Sequence, residues 1–155
     1  MFICSVRAST LRFVGLLLVA ASMLVGALAY QRNAAVDVAS YQFNKIKTDE
    51  DRIEFLAQFG WETTKTPIEQ TEFTIPETFD RVMMGYNEIQ KNQGLDLSRY
   101  ENKKVTRYTY EVTNYEGYEG KVYANVIVYR DKVIAGDICA ADPLGFVHGF
   151  EREQG

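Results

Sequence analysis

Two side chains in the last quarter of the sequence can do nucleophilic chemistry together. Cys139 stands in Asp137-Ile138-Cys139-Ala140, and His148, the only histidine, stands in Gly145-Phe146-Val147-His148-Gly149-Phe150. A thiol beside an imidazole is the smallest pair that makes a thiolate nucleophile, because the ring takes the thiol proton. The spacing lets the tail fold back beside the segment that carries Cys139, so a thiol-dependent enzyme is one reading. The competing reading is packing: small cysteines at the end of an apolar strand are common core residues, and one histidine cannot build a multi-histidine metal site.

Asp137 and Asp142 bracket Cys139 and can be drawn as a carboxylate pair for acid–base work or for a hard cation. No run has the ligand density or the glycine placement of a calcium loop, and Asp142-Pro143 reads more simply as a turn start whose side-chain oxygen serves nearby amides. Ten tyrosines are the one compositional excess. Strand propensity accounts for most of them. Tyr115 and Tyr118 differ, because they fall in the turn Asn114-Tyr115-Glu116-Gly117-Tyr118-Glu119-Gly120, where a hairpin needs no aromatic pair. Tyrosines in that position suit a binding surface, since they give contact area at low entropic cost; packing over the sheet edge is the alternative. The sequence has no phosphate-cradling glycine loop, dinucleotide fingerprint, HExxH, CxxC or nucleophile elbow, and no cofactor is expected.

The elements that must position these residues read as an α+β domain. Thr48 followed by Asp49, Glu50 and Asp51 is a helix start, favoured by capping and by the macrodipole. Ile53, Leu56, Ala57 and Phe59 then mark a face, with Phe55 flanking, and Gly60 stops the helix before Trp61. Ile68 to Ile75 is β-prone and only partly apolar on one side, which suits an edge strand. Pro76 and Glu77 suit a first helical turn, and Phe79, Val82, Met83, Tyr86 and Ile89 trace a second helical face that ends at Gly94. Lys103 to Thr113 alternates Thr106, Tyr108, Tyr110 and Val112 against Arg107, Thr109, Glu111 and Thr113. The next strand, from Val122 to Tyr129, is apolar on both sides and should be central. Arg130-Asp131 forms a tight connection to Lys132 to Ala140, although neither residue favours the positive φ of a type I′ hairpin, so a slightly longer loop is the alternative. The simplest packing sets two helices on one face of a mainly antiparallel sheet of about four strands, an arrangement reminiscent of cystatin-like and PepSY-like modules.

Ahead of this domain, residues 13–29 read FVGLLLVAASMLVGALA without a charge, between Arg7 and Arg12 on one side and Tyr30 and Arg32 on the other. That length just spans a bilayer core as a helix, and the tyrosine suits the interface. Residues 1–30 are therefore a membrane anchor, or a cleavable signal segment ending at Ala27-Leu28-Ala29. Residues 31–47 read as a linker and 48–155 as a single domain outside the cytoplasm. The formal charge of −4 includes Arg7 and Arg12, so the domain itself is more acidic still. Nucleic acid is disfavoured as a partner. Cys4 and Cys139 flank the apolar run and cannot pair across a membrane.

Three separated stretches carry a likeness: Arg52-Ile53-Glu54-Phe55-Leu56-Ala57-Gln58-Phe59-Gly60-Trp61; Thr106-Arg107-Tyr108-Thr109-Tyr110 with Tyr123-Ala124-Asn125; and Gly136-Asp137-Ile138-Cys139 through His148-Gly149-Phe150. Over about residues 50–150 the chain resembles a family of small, uncharacterised single-pass membrane proteins of Gram-positive anaerobic bacteria, Clostridia-like, with a C-terminal domain of unknown function. The resemblance implies a bacterial, membrane-tethered exterior domain. It supplies no activity and no catalytic residue. Where a tight Asp-Gly turn would be usual, this chain has Arg130-Asp131.

The expectation that follows is a non-catalytic extracytoplasmic module, held at the membrane by residues 13–30, that binds a protein, a peptide or a cell-wall component. The alternatives are the Cys139 and His148 enzyme, and an envelope assembly or regulatory protein acting through its membrane helix.

Overall fold

In the computed structural model, residues 41–152 are described. The anchor expected at 1–30, with Cys4, lies outside them, as does most of the linker. Among the described residues no helix is long and apolar enough to cross a membrane.

The chain opens with helix α1 (Asp49–Ala57), then strand β1 (Glu69–Thr74), helix α2 (Arg81–Asn92), a 3-10 turn (Leu97–Tyr100) and strands β2 (Lys104–Val112), β3 (Val122–Tyr129), β4 (Lys132–Ala140) and β5 (Val147–His148). One sheet holds all five strands in the order β1-β2-β3-β4-β5. Every neighbouring pair is antiparallel. β1 is an edge strand and β3 the central one, as their patterns indicate. The fifth strand was not expected: two residues of the glycine-flanked tail are too few for a period to show.

Local chemistry explains the helix ends. Thr48 Oγ1 accepts from Asp51 N and Asp51 Oδ2 accepts from Thr48 N, a reciprocal cap that satisfies two otherwise orphan donors. Gly60 then takes φ +81, which only glycine adopts without strain, and turns the chain outward at Trp61. α2 starts at Arg81, capped by Asp80 Oδ1, rather than at Pro76.

Strand alternation and the two core clusters divide the helices between the two faces of the sheet, instead of stacking both on one. Tyr110 and Val112 of β2, Ala124 and Val126 of β3 and Ile138 of β4 share a face with Phe55, Leu56, Phe59, Trp61 and Phe150. Val105, Ile127 and Ala135 point the other way, toward Met83 and Tyr86 of α2, with Ile75 and Leu97. Each strand of the meander is apolar on both sides at some point, so both faces require cover.

The helix faces also differ from the apolar pattern. In α1 the buried positions are Arg52, Phe55 and Leu56, while Ala57 is exposed. Arg52 is buried because it is paired: its Nε donates to Tyr110 Oη at 2.8 Å, its Nη2 meets Asp49 Oδ1 at 2.6 Å, and its guanidinium lies 3.7 Å from the Tyr108 ring centroid. In α2 the buried residues are Asn87 and Gln90, and Val82 is 80% exposed.

Residues 41–47, expected as the end of the linker, are integrated with the sheet. Ile46 is buried in the core, Asn44 bridges to Lys132, and Val133 N donates to Phe43 O at 2.8 Å. The Arg130-Asp131 connection is the tight two-residue turn, not the longer loop. Tyr129 pairs directly with Lys132, and both turn residues take the left-handed φ of a type I′ turn, 45° and 61°. Pairing on both sides, together with Ile46 N donating to Asp131 O, holds a conformation that these residue types do not choose alone.

Candidate functional site

The register of β4 and β5 decides the fate of the Cys139 and His148 pair. Ile138 is opposite His148 and Cys139 is opposite Val147. Directly opposed residues share a face and successive residues alternate, so His148 lies on the α1 face and Cys139 on the α2 face. The sheet stands between thiol and ring, and the nucleophilic pair is not assembled.

Cys139 belongs instead to a polar row across the α2 face. Thr109 Oγ1 donates to Asn125 Oδ1 at 2.7 Å, Asn125 Nδ2 donates to Asp137 Oδ1 at 2.9 Å, and Tyr86 Oη donates to Asp137 Oδ2 at 2.7 Å. Asn125 Nδ2 also lies 3.4 Å from Cys139 Sγ. Burial raises the pKa of Asp137, opposed by the donors from Asn125, Tyr86 and Cys139. Burial, with Asp137 beside it, pushes the Cys139 thiol up to about 11, the opposite of an activated nucleophile. Asp142 works as a turn residue: its Oδ1 accepts from Leu144 N and its carbonyl from Gly145 N, each at 2.9 Å. Among the described residues no three His, Cys, Asp or Glu side chains are grouped to hold a metal ion.

On the α1 face three separate segments bring aromatic rings together. Trp61 leaves α1, Tyr115 and Tyr118 come from the β2–β3 loop, and Phe146 and His148 come from the β4–β5 connection and β5. Tyr115 is stacked between Trp61, at 5.5 Å and 3°, and Phe146, at 4.7 Å and 16°. Phe146 also stacks with His148 at 5.6 Å and takes the edge of Tyr118 at 5.3 Å. Trp61 is fixed by its Nε1, which donates to Phe150 O at 2.6 Å, and Arg152 lies over its ring at 4.5 Å. Arg152 is held in turn by Gly60 O and Asn114 O.

Histidine Nδ1 can only donate to a carbonyl, and His148 Nδ1 is 2.7 Å from Gly149 O. That tautomer leaves Nε2, 3.3 Å from the Tyr115 hydroxyl, as the acceptor. The stack borders a cleft of about 130 Å³ lined by Trp61, Tyr115, Glu116, His148 and Arg152. It offers an aromatic wall, an exposed cation and an exposed anion.

Tyr115 and Tyr118 are thus half-buried members of a stack, where free recognition tyrosines were one expectation. Trp61, Phe146, Glu116 and Arg152 were not foreseen as site residues. Trp61 stood out only as the helix exit, and nothing in the spacing of Glu116 and Arg152 marks them.

The fold is that of a small α+β domain, five antiparallel strands with two helices. The chain belongs to the family described as Domain of unknown function (DUF4830), which matches residues 55–138. The match takes in Trp61, Tyr86, Thr109, Tyr115, Asn125 and Asp137 and ends before Cys139, Phe146, His148 and Arg152. No curated protein and no solved structure matches the chain.

Proposed function

We propose that this chain is a non-catalytic binding module, tethered to the membrane by residues 13–30 and facing outward, whose contact site is the cleft at Trp61, Tyr115 and His148. The observation that carries the reading is the convergence of three chain segments on one partly open aromatic stack flanked by Arg152 and Glu116. Rigid aromatic groups beside a few polar ones favour recognition of a protein, peptide or cell-wall component. The raised thiol of Cys139, on the far face from His148, further favours binding over catalysis. The uncharged run at 13–29 and its flanking arginines support the tether and the outward address.

Trp61 is the only tryptophan, so its emission reports on the cleft. The full-length chain is titrated with soluble peptidoglycan fragments and, separately, with short peptides. A saturable emission change that Arg152→Ala weakens is the expected result. A flat response to both classes would remove the reading. Cleavage of the domain by protease added to intact cells tests the address, and protection from it would place the domain inside.

A further inference from the structure

We infer that the outer edge of β5 and the adjoining flank of α2 form a groove for an extended polypeptide segment, which docks by adding a strand to the sheet. This rests on the binding-module reading and names the partner's chemistry. Ala140 N donates to Phe146 O at 3.0 Å, which makes that opposed pair a hydrogen-bonded one. Bonded and non-bonded pairs alternate in an antiparallel ladder, so Ile138 and His148 also face each other through their backbones, while Cys139 and Val147 do not. The N–H and C=O of Val147 therefore point away from β4. Among the described residues nothing meets them.

What they meet is space. A cavity of about 330 Å³ lies against this edge, walled by Ile89 of α2, by Gln93 at its C-cap and by Val147, Gly149 and Glu151. Gly149 closes its floor: a Cβ there would come within 2.7 Å of Gln93 Cδ, so the backbone already packs against the Gln93 side chain. Val147 is 49% exposed and offers an apolar surface to alternate side chains of an incoming strand. His148 lines both this groove and the aromatic cleft, so residues of opposite parity would reach the cleft.

The two sheet edges differ in their protection. β1 carries Glu69 and Glu72 along its length, ion-paired with Arg107 and Lys104, and charges on an edge discourage pairing with another chain. β5 presents only Val147 and His148 and carries no charge of this kind. Glu151 is the one acidic side chain lining the groove, so the matching segment carries a lysine or arginine beside an apolar residue.

The test uses the full-length chain, isotope-labelled for amide spectroscopy. The probe is a panel of blocked seven-residue peptides of alternating valine and threonine, with lysine placed at each position in turn. The inference expects saturable shifts at the Val147 and Gly149 amides, protection of the Val147 amide from hydrogen exchange, and loss of both when alternate peptide amides are N-methylated. Val147→Pro removes an outward N–H that makes no ladder bond, so it should fold and lose about tenfold or more in peptide affinity. Unmoved Val147 and Gly149 amides across the panel, or binding indifferent to N-methylation, would overturn strand addition. If Trp61 emission still responds to a ligand in that case, the cleft reading survives; if neither responds, both fall.

Discussion

Both faces of this sheet carry an apolar cluster, but the contacts that accompany them differ in chemistry. On the α1 side, Phe150 makes an edge contact with Phe55 at 5.0 Å and stacks on Phe59 at 5.3 Å, and all three are buried with Trp61 and Tyr110. On the α2 side two carboxamides, Gln90 buried in the helix and Gln93 half-buried at its C-cap, hold the backbone. Gln90 Oε1 accepts from Gly136 N at 2.9 Å, Gln93 Nε2 donates to Gly136 O at 3.0 Å, and Gln93 Oε1 accepts from Phe150 N at 2.6 Å. Gln90 and Gln93 thus fill the rung of the β4–β5 ladder that Gly136 and Phe150 would otherwise make. Apolar burial is non-directional and tolerant, whereas a carboxamide wedge is directional and works only in one register. One face supplies most of the adhesion, and the other fixes where β5 ends and where the groove beside it begins.

The largest test of that contrast is Phe150→Ala. It removes a fully buried ring from the centre of the aromatic face and should cost about 4 kcal/mol in denaturant unfolding, a large share of a small domain's stability. Arg52→Ala comes next. It strips the partner from Asp49 and Tyr110 in a buried network and should cost about 3 kcal/mol, with Arg52→Met recovering part of the loss. Gln90→Ala leaves the Gly136 N–H without its acceptor and should cost about 2 kcal/mol, with faster amide exchange confined to α2 and the outer edge of β4. If Gln90→Ala costs as much as Phe150→Ala, the division between an adhesive face and a registering face is wrong.

The smallest effect sharpens the polar row. The native Cys139 thiol should label slowly at neutral pH with a midpoint near 11, and at the usual thiol value once denatured. Asp137→Asn should lower that native midpoint, since it removes the neighbouring charge. It also changes the pH dependence of stability. Because the pKa of Asp137 is raised on folding, its favourable contribution is present below the ordinary carboxylate value of about 4 and is lost as pH rises through the raised value. Denaturant midpoints across that range should be flatter for the variant.

Much of the scaffold was legible because it obeys local rules. The Thr48 cap, the Gly60 and Gly94 stops and the alternation of β2 and β3 follow from residue type and period alone. Arg52, Asn87 and Gln90 were not legible. Hydrophobic patterns count apolar positions, and these polar residues are buried only because partners distant in sequence, such as Tyr110, Asp96 and Gly136, satisfy them. The candidate site was half legible. Tyr115 and Tyr118 stood out as aromatics in a turn, but Trp61, Phe146 and Arg152 meet them only through the fold.

By itself, then, the sequence determined the element types, the strand faces and the acidic character of the domain, because helix caps, glycine φ and side-chain periodicity act within a few residues. Only the tertiary structure decided that Cys139 and His148 lie on opposite faces, that the helices cover both sides of the sheet, and that an open edge runs beside an aromatic cleft. The first of those outcomes depends on a one-residue register between β4 and β5, and in a pleated strand one residue is the whole difference between the two faces.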